Sequence, residues 1–139
     1  MLLFDRIRKK HVTMTPEENV RQSIINYLTA EKGYPHMLIS VETSLKYANM
    51  KKRTDLLIND SAGRPLMLVE CKAPDVVLTN KVFEQIAIYN LAIKAPYMLV
   101  TNGIKNYCMS VATESTPPRF LSEIPEYSMI QKIHDSKNS

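Results

Sequence analysis

Thr54 to Lys72 reads TDLLI, NDSAGRP and LMLVECK: an apolar run (Thr54–Ile58), a polar segment (Asn59–Pro65) and a second apolar run (Leu66–Lys72) closing on glutamate, cysteine and lysine. The middle segment, Asn59-Asp60-Ser61-Ala62-Gly63-Arg64-Pro65, concentrates the residues that form turns. LLI and LMLV are continuously apolar, as strands buried in the middle of a sheet are. The pattern predicts an antiparallel hairpin. Side chains alternate along a strand, so Glu70 and Lys72 fall to one side and Cys71 to the other. Asp55 lies on the preceding strand, and the pairing implied by the turn brings it beside Glu70. Two carboxylates and an ammonium at the edge of an apolar sheet are costly unless they satisfy each other or a ligand. A hard divalent cation such as Mg²⁺ resolves that cost, since it takes oxygen ligands from one or two carboxylates and keeps several waters.

The flanking sequence places this hairpin among other elements. A helix is predicted from about Pro16 to Glu31, with Thr15 as N-cap, Pro16 at the first helical position and Glu18 completing a T-x-x-E capping box. Val20, Ile24, Tyr27 and Leu28 recur along it at helical spacing, and Gly33 ends it. Met37–Thr43 reads as the first strand. After Ala73-Pro74 a second helix runs from about Thr79 to Ile93, with Phe83, Ile86, Ala87 and Leu91 as its apolar positions. Tyr97–Thr101 and Tyr107–Val111 read as further strands. Pro117-Pro118 and Pro125 lie in an irregular stretch that leads to a short tail helix near Ser128–Ile133. The order αβββαβ predicts an α/β (α+β) domain, a mixed central sheet flanked by helices.

The chain has 139 residues, 45% hydrophobic and 23% charged, and is expected to form one domain over 1–139. Its core would span about 15–111, with 112–139 as a C-terminal extension. Such a domain buries roughly two thirds of its unfolded surface and needs neither disulfide nor metal to fold. Cys71 and Cys108 have no zinc-like spacing with His11, His36 or His134 and read as reduced, buried thiols. The eight methionines read as core filling. MLLFDRIRKKH is too short in its apolar part for a signal peptide, and no stretch approaches a transmembrane helix, so a cytoplasmic, non-membrane protein is expected. A net charge of +4 raises the odds of a nucleic-acid partner only slightly. The local runs Arg6–His11 and Lys51-Lys52-Arg53 matter more.

Arg53-Thr54-Asp55-Leu56-Leu57-Ile58, the turn, and Pro65-Leu66-Met67-Leu68-Val69-Glu70-Cys71-Lys72-Ala73-Pro74 resemble the PD-(D/E)xK nuclease motif. The resemblance is closest to the N-terminal domain of type I restriction enzyme R subunits, and it covers roughly residues 15 to 111. Pro16-Glu17-Glu18-Asn19-Val20-Arg21-Gln22, Gly33-Tyr34-Pro35, Gln85-Ile86-Ala87-Ile88-Tyr89-Asn90 and Val100-Thr101-Asn102-Gly103 agree with it. An E-x-K alone is weak; R-x-D, E-x-K and Q-x-x-x-Y in this order are specific.

The resemblance implies a restriction-endonuclease-like fold and Mg²⁺-dependent (or Mn²⁺-dependent) phosphodiester hydrolysis of DNA. It implies Asp55, Glu70 and the Cys71 carbonyl as metal ligands, with Lys72 as the catalytic lysine. Gln85 and Tyr89 correspond to the Q-x-x-x-Y element, one helical turn apart and on one face. Glu17 is the candidate for the family's first-helix glutamate near the metal. Lys51, Lys52, Arg53 and Arg21 are candidate DNA contacts, since basic side chains offset phosphate charge and release counterions. A homodimer or partner restriction and modification subunits are the candidate protein partners. The R subunits continue into motor domains, whereas no G-x-x-x-x-G-K-[ST] occurs here, so no ATP site is expected in this chain.

Plainer readings stand beside these. Asp55 and Glu70 could be ordinary strand-end residues, with Lys72 pairing one of them. Gln85 and Tyr89 could be a polar helix edge and a half-buried ring, Arg21 a solvated helix residue and Lys51-Lys52-Arg53 a solvated turn. Cys71 reads as a small buried side chain and not as a nucleophile. Three functions follow: a metal-dependent nuclease; a catalytically silent DNA-binding or assembly module that keeps the fold; and a protein unconnected with nucleic acid whose core merely looks like a nuclease's.

Overall fold

The computed structural model describes residues 2–5, 7, 10–47, 50–111 and 116–131, with the side chains at 2, 3, 10–13, 42–47 and 50–54 outside the description. A short antiparallel hairpin, β1 (Leu2–Asp5) with β2 (Lys10–Thr13), precedes α1 (Pro16–Glu31). A six-stranded sheet follows, in the order β3 (Ile39–Tyr47), β4 (Met50–Asn59), β5 (Pro65–Cys71), β6 (Tyr97–Thr101), β7 (Asn106–Ser110) and β8 (Arg119–Leu121). Between β5 and β6 the chain crosses over through α2 (Asn80–Ile93), which lets these two strands pair in parallel; the other neighbours are antiparallel. The sheet is therefore mixed, and β5 lies in its interior between β4 and β6.

The alternation of side chains sorts the core into two layers. Leu56, Ile58, Met67, Val69, Cys71, Leu99 and Cys108 pack with Val20, Ile24, Ile25 and Leu28 of α1. On the opposite face Leu68, Met98 and Val100 pack with Ile86 of α2, joined at their margin by Leu57, Val82, Phe83, Tyr89 and Met109. Apolar burial of this kind stabilises by about 25 cal/mol per Å², so these layers are the main reason the chain folds.

Local chemistry fixes the element ends. Thr15 caps α1 by accepting a hydrogen bond from the Glu18 amide at 3.0 Å. In the β4–β5 turn the Asp60 carboxylate accepts from the amides of Ala62 and Arg64, both at 2.9 Å, and pairs with the Arg64 guanidinium at 2.7 Å. That turn sets the register that places Leu56 opposite Val69. The β6–β7 turn needs Gly103, whose φ is +87° and whose missing Cβ would sit 3.1 Å from Val20 of α1.

Several expectations need revision. The first strand of the sheet begins at Ile39, because His36–Leu38 forms a 3₁₀ turn that leaves Met37 90% exposed. Met129 is exposed as well, so the methionines are not uniformly core. β4 extends back to Met50, pairing with β3 beyond the apolar part of its sequence. On α1 Tyr27 faces outward, and on α2 Leu91 and Ala87 do, the buried stripe of α2 running through Val82, Ile86, Tyr89 and Ile93. The sequence reading lacked β1, β2 and β8. Residues after 111 belong to the core: Ile124 and Ile130 pack in the α1 layer, and the Tyr34 hydroxyl donates to the Pro125 carbonyl at 2.9 Å. Helical structure at the tail covers 127–131, the rest of the expected tail helix lying outside the described residues.

Candidate active site

β4 and β5 run side by side, with an acid midway along β4, where its pairing with β5 stops, and another next to the last residue of β5. Continuing the pairing Leu56↔Val69 by one step sets Asp55 against Glu70. Asp55 is buried, with 8% of its surface exposed, and both of its carboxylate oxygens are held. Oδ2 accepts from the Cys71 amide at 2.8 Å, a bond that ties the two strands together. Oδ1 accepts from the Arg21 guanidinium of α1 at 2.7 Å. Glu70 pairs with Lys72 at 3.3 Å, two residues along the same chain, while the Lys72 amide donates to the Thr101 carbonyl at 2.8 Å and anchors this end of β5 to β6. Cys71 turns the other way, into the α1 layer.

α1 brings its first turns to the same place. Arg21 is buried, and besides Asp55 it pairs with Glu18 and, at 3.5 Å, with Glu17. Burial opposes its charge, yet the hydrogen bond and charge of Asp55, with Glu18, outweigh burial and raise its pKa. Glu17 has half of its side chain in solvent, and its carboxyl is raised above the ordinary value by partial burial and then by the neighbouring Asp55 charge. Glu70 is shifted furthest: burial first, and the Asp55 charge next, push it up to about 7 against the pull of Lys72. Glu17 of α1 and Glu70 of β5 thus both feel Asp55 of β4, with one guanidinium and one ammonium set among the three acids.

The other sequence candidates are placed differently. Arg21 is neither solvated nor on the surface, because its guanidinium is drawn into the acid cluster. Gln85 is exposed on α2, whereas Tyr89 packs its ring into the α2 layer. The side chains of Lys51, Lys52 and Arg53 lie outside the described residues, as does most of the Arg6–His11 run. Both thiols are free and buried, Cys71 raised well above its ordinary pKa and Cys108 pushed up to about 12, so neither is a nucleophile.

The sequence reading named Arg21 only as a candidate DNA contact, missing its pairing with the acids, and missed Asn102. Arg21 had a signal: it precedes Ile25 by four and Leu28 by seven, which puts it on the buried stripe with Glu17 and Glu18 one turn behind. Asn102 read only as a turn residue. It is buried, its side-chain amide donates to the Val76 carbonyl at 2.9 Å, and its oxygen accepts from the amides of Ile104 and Lys105. It therefore fastens the loop that follows Lys72 to the β6–β7 turn.

The donor set suits a hard cation in kind: carboxylates, a nearby backbone carbonyl and access to water, with excess negative charge that a cation would offset. Among the described residues no three Asp, Glu, His or Cys side chains are grouped closely enough to cage an ion by themselves. Mg²⁺ does not require such a cage, since it commonly binds one or two carboxylates and keeps its waters.

A family model described as the N terminus of the type I restriction enzyme R protein matches residues 16–125, most of the chain. The chain belongs to this family. The match runs from the first residue of α1 past β8, so the strand added after residue 111 lies within the family's own span. Among solved structures, a fragment of an inferred HsdR subunit of a type I restriction enzyme from Vibrio vulnificus YJ016 aligns with a TM-score of 0.68 at 16% identity. The alignment covers 88% of this chain but 26% of that fragment, so the chain spans about a quarter of the solved relative's length. An inferred DUF820 nuclease from Anabaena variabilis ATCC 29413 aligns at 12% identity with a TM-score of 0.49, over 93% of this chain and 83% of the other. No curated protein matches. The Vibrio fragment thus shares this fold, a mixed sheet flanked by helices. No helix among the described residues is long and apolar enough to cross a membrane.

Proposed function

We propose that this chain is the nuclease domain of a restriction system, a metal-dependent endonuclease that hydrolyses phosphodiester bonds in DNA at Asp55, Glu70 and Lys72. The observation that carries this reading is the convergence of those three side chains where β5 ends beside the middle of β4, with the Glu70 carboxyl pushed up to about 7. Kinship with the R-protein N termini supports it. Mg²⁺, with Mn²⁺ as its substitute, would be held by Asp55, Glu70 and the Cys71 carbonyl, with Glu17 close by. Such an ion lowers the pKa of bound water, polarises the phosphoryl oxygen and offsets charge building up in the transition state.

The protein's own groups do the positioning. The Cys71 amide fixes the Asp55 carboxylate. Lys72, already paired with Glu70, orients the attacking water or meets the developing phosphoryl charge. The basic run Lys51-Lys52-Arg53 leads directly into Asp55 and would hold the DNA backbone. Gln85 and Tyr89 of α2 would brace the substrate strand from the side. The chain acts as one domain in the cytoplasm, on its own, as a homodimer or within a set of restriction and modification subunits.

Incubation with supercoiled plasmid and with labelled single-stranded DNA in Mg²⁺, Mn²⁺ or EDTA tests this. Cleavage in either metal that EDTA stops is the expected result. DNA retained on the protein but intact in every metal would leave the silent binding module as the correct reading.

A further inference from the structure

We infer that Arg21 controls metal occupancy of the site, acting as an internal cation that holds Asp55 until a divalent ion takes its place. This rests on the metal-site reading above. The Arg21 guanidinium sits on Asp55 Oδ1 at 2.7 Å, and the Cys71 amide takes Oδ2, so both oxygens of one expected metal ligand are engaged. Each oxygen keeps a second lone pair, but an ion on Asp55 would lie within a few ångströms of the guanidinium, and the two cations repel each other.

Arg21 also has somewhere to go. Its other amino group already pairs with Glu18, and the amino group that holds Asp55 also lies 3.5 Å from Glu17, both acids one turn back on the same helix. Release of Asp55 therefore leaves the guanidinium buried but still paired, which avoids the large penalty of an uncompensated interior charge. Glu18 in turn is steadied by the Gln22 side chain at 3.0 Å, so the acceptor that keeps Arg21 is itself anchored. The arrangement has two states: guanidinium shared between helix and strand without metal, and guanidinium on the helix acids with the ion on Asp55 and Glu70.

The two roles of Arg21 make opposite predictions. A residue that only supports the fold would, on removal, weaken metal binding through a loosened site. A competitor would, on removal, strengthen it. Calorimetric titration of Mn²⁺ into the full chain should give binding about tenfold or more tighter in Arg21→Gln than in wild type, because a unit positive charge a few ångströms from the ion is gone. Saturating Mn²⁺ should also raise the melting temperature of Arg21→Gln by more than that of wild type. Asp55→Asn, titrated alongside, should abolish binding in both backgrounds.

Should Arg21→Gln fail to fold, the wild-type chain still answers. The Arg21 Nε–H resonance, assigned by comparison with Arg21→Lys, should move in step with Mg²⁺ saturation. Equal or weaker Mn²⁺ binding in Arg21→Gln, or a stationary Arg21 resonance at saturating Mg²⁺, overturns the inference while leaving the metal site intact. Absence of binding in both wild type and Arg21→Gln, or binding that survives Asp55→Asn, overturns the metal-site reading and the inference with it.

Discussion

Glu70 carries the largest consequence of this arrangement. Its carboxyl lies at about 7 instead of 4.5, through burial and the Asp55 charge. In the metal-free protein it therefore holds a proton that the unfolded chain gives up between these two values. The stability tied to that proton is fully present below about pH 4.5 and is lost as pH rises through 7, at up to about 1.4 kcal/mol per pH unit. The raised Glu17 carboxyl adds to the fall in the same direction. Thermal melts in EDTA from pH 4.5 to 8 should show a declining midpoint, and Glu70→Gln should flatten most of the decline. Saturating Mg²⁺ should flatten it as well, since ion binding favours the ionised carboxyl. A wild-type midpoint independent of pH across this window would mean that Glu70 is not buried beside Asp55.

Much of this centre was legible in the sequence, because strand alternation and one turn suffice to put Asp55 beside Glu70 and to turn Cys71 away. Arg21 was legible only in its place on the buried stripe of α1, for its pairing with Asp55 depends on how α1 crosses the sheet. A charged residue on a helix is exposed far more often than buried.

The elements show the same division. Helix α1 and strands β5 and β6 match their sequence signals because each is fixed locally: a threonine cap, a polar turn, unbroken apolar runs. β1, β2 and β8 are three or four residues long and carry no periodicity to read; pairing partners create them. Of the apolar positions expected on α2, Phe83 and Ile86 pack against the sheet while Ala87 and Leu91 do not, since which helical face is buried depends on the sheet it meets. Two substitutions probe these elements by urea denaturation. Leu99 is fully buried in the central strand β6, and Leu99→Ala should lower stability by about 2–5 kcal/mol through lost burial and the cavity left behind. Asn102→Ala removes the donor to Val76 and the acceptor for Ile104 and Lys105, and should lower stability by about 1–3 kcal/mol. An unchanged midpoint in Asn102→Ala would show that Asn102 does not fasten the loop after Lys72.

Taken as one body, the protein is a sheet with a helix on either face, and four of its acids, Glu17, Glu18, Asp55 and Glu70, gather where α1, β4 and β5 meet. Its charge is mildly basic, with a sequence pI near 9.1, while that meeting point is locally acidic. The fold class was legible from the order of elements. What the sequence did not convey was that residues beyond 111 complete the α1 layer, since Ile124 and Ile130 sit among prolines and polar residues that read as irregular. The central claim is that Asp55, Glu70 and Lys72 form the cleaving centre, and the most direct measurement is plasmid cleavage in Mg²⁺ by wild type and by Lys72→Ala purified in parallel. The rate should fall at least about a hundredfold in Lys72→Ala while its melting temperature stays near that of wild type, as expected for a group acting on transition-state charge. Cleavage at an undiminished rate by Lys72→Ala would contradict the assignment of this centre.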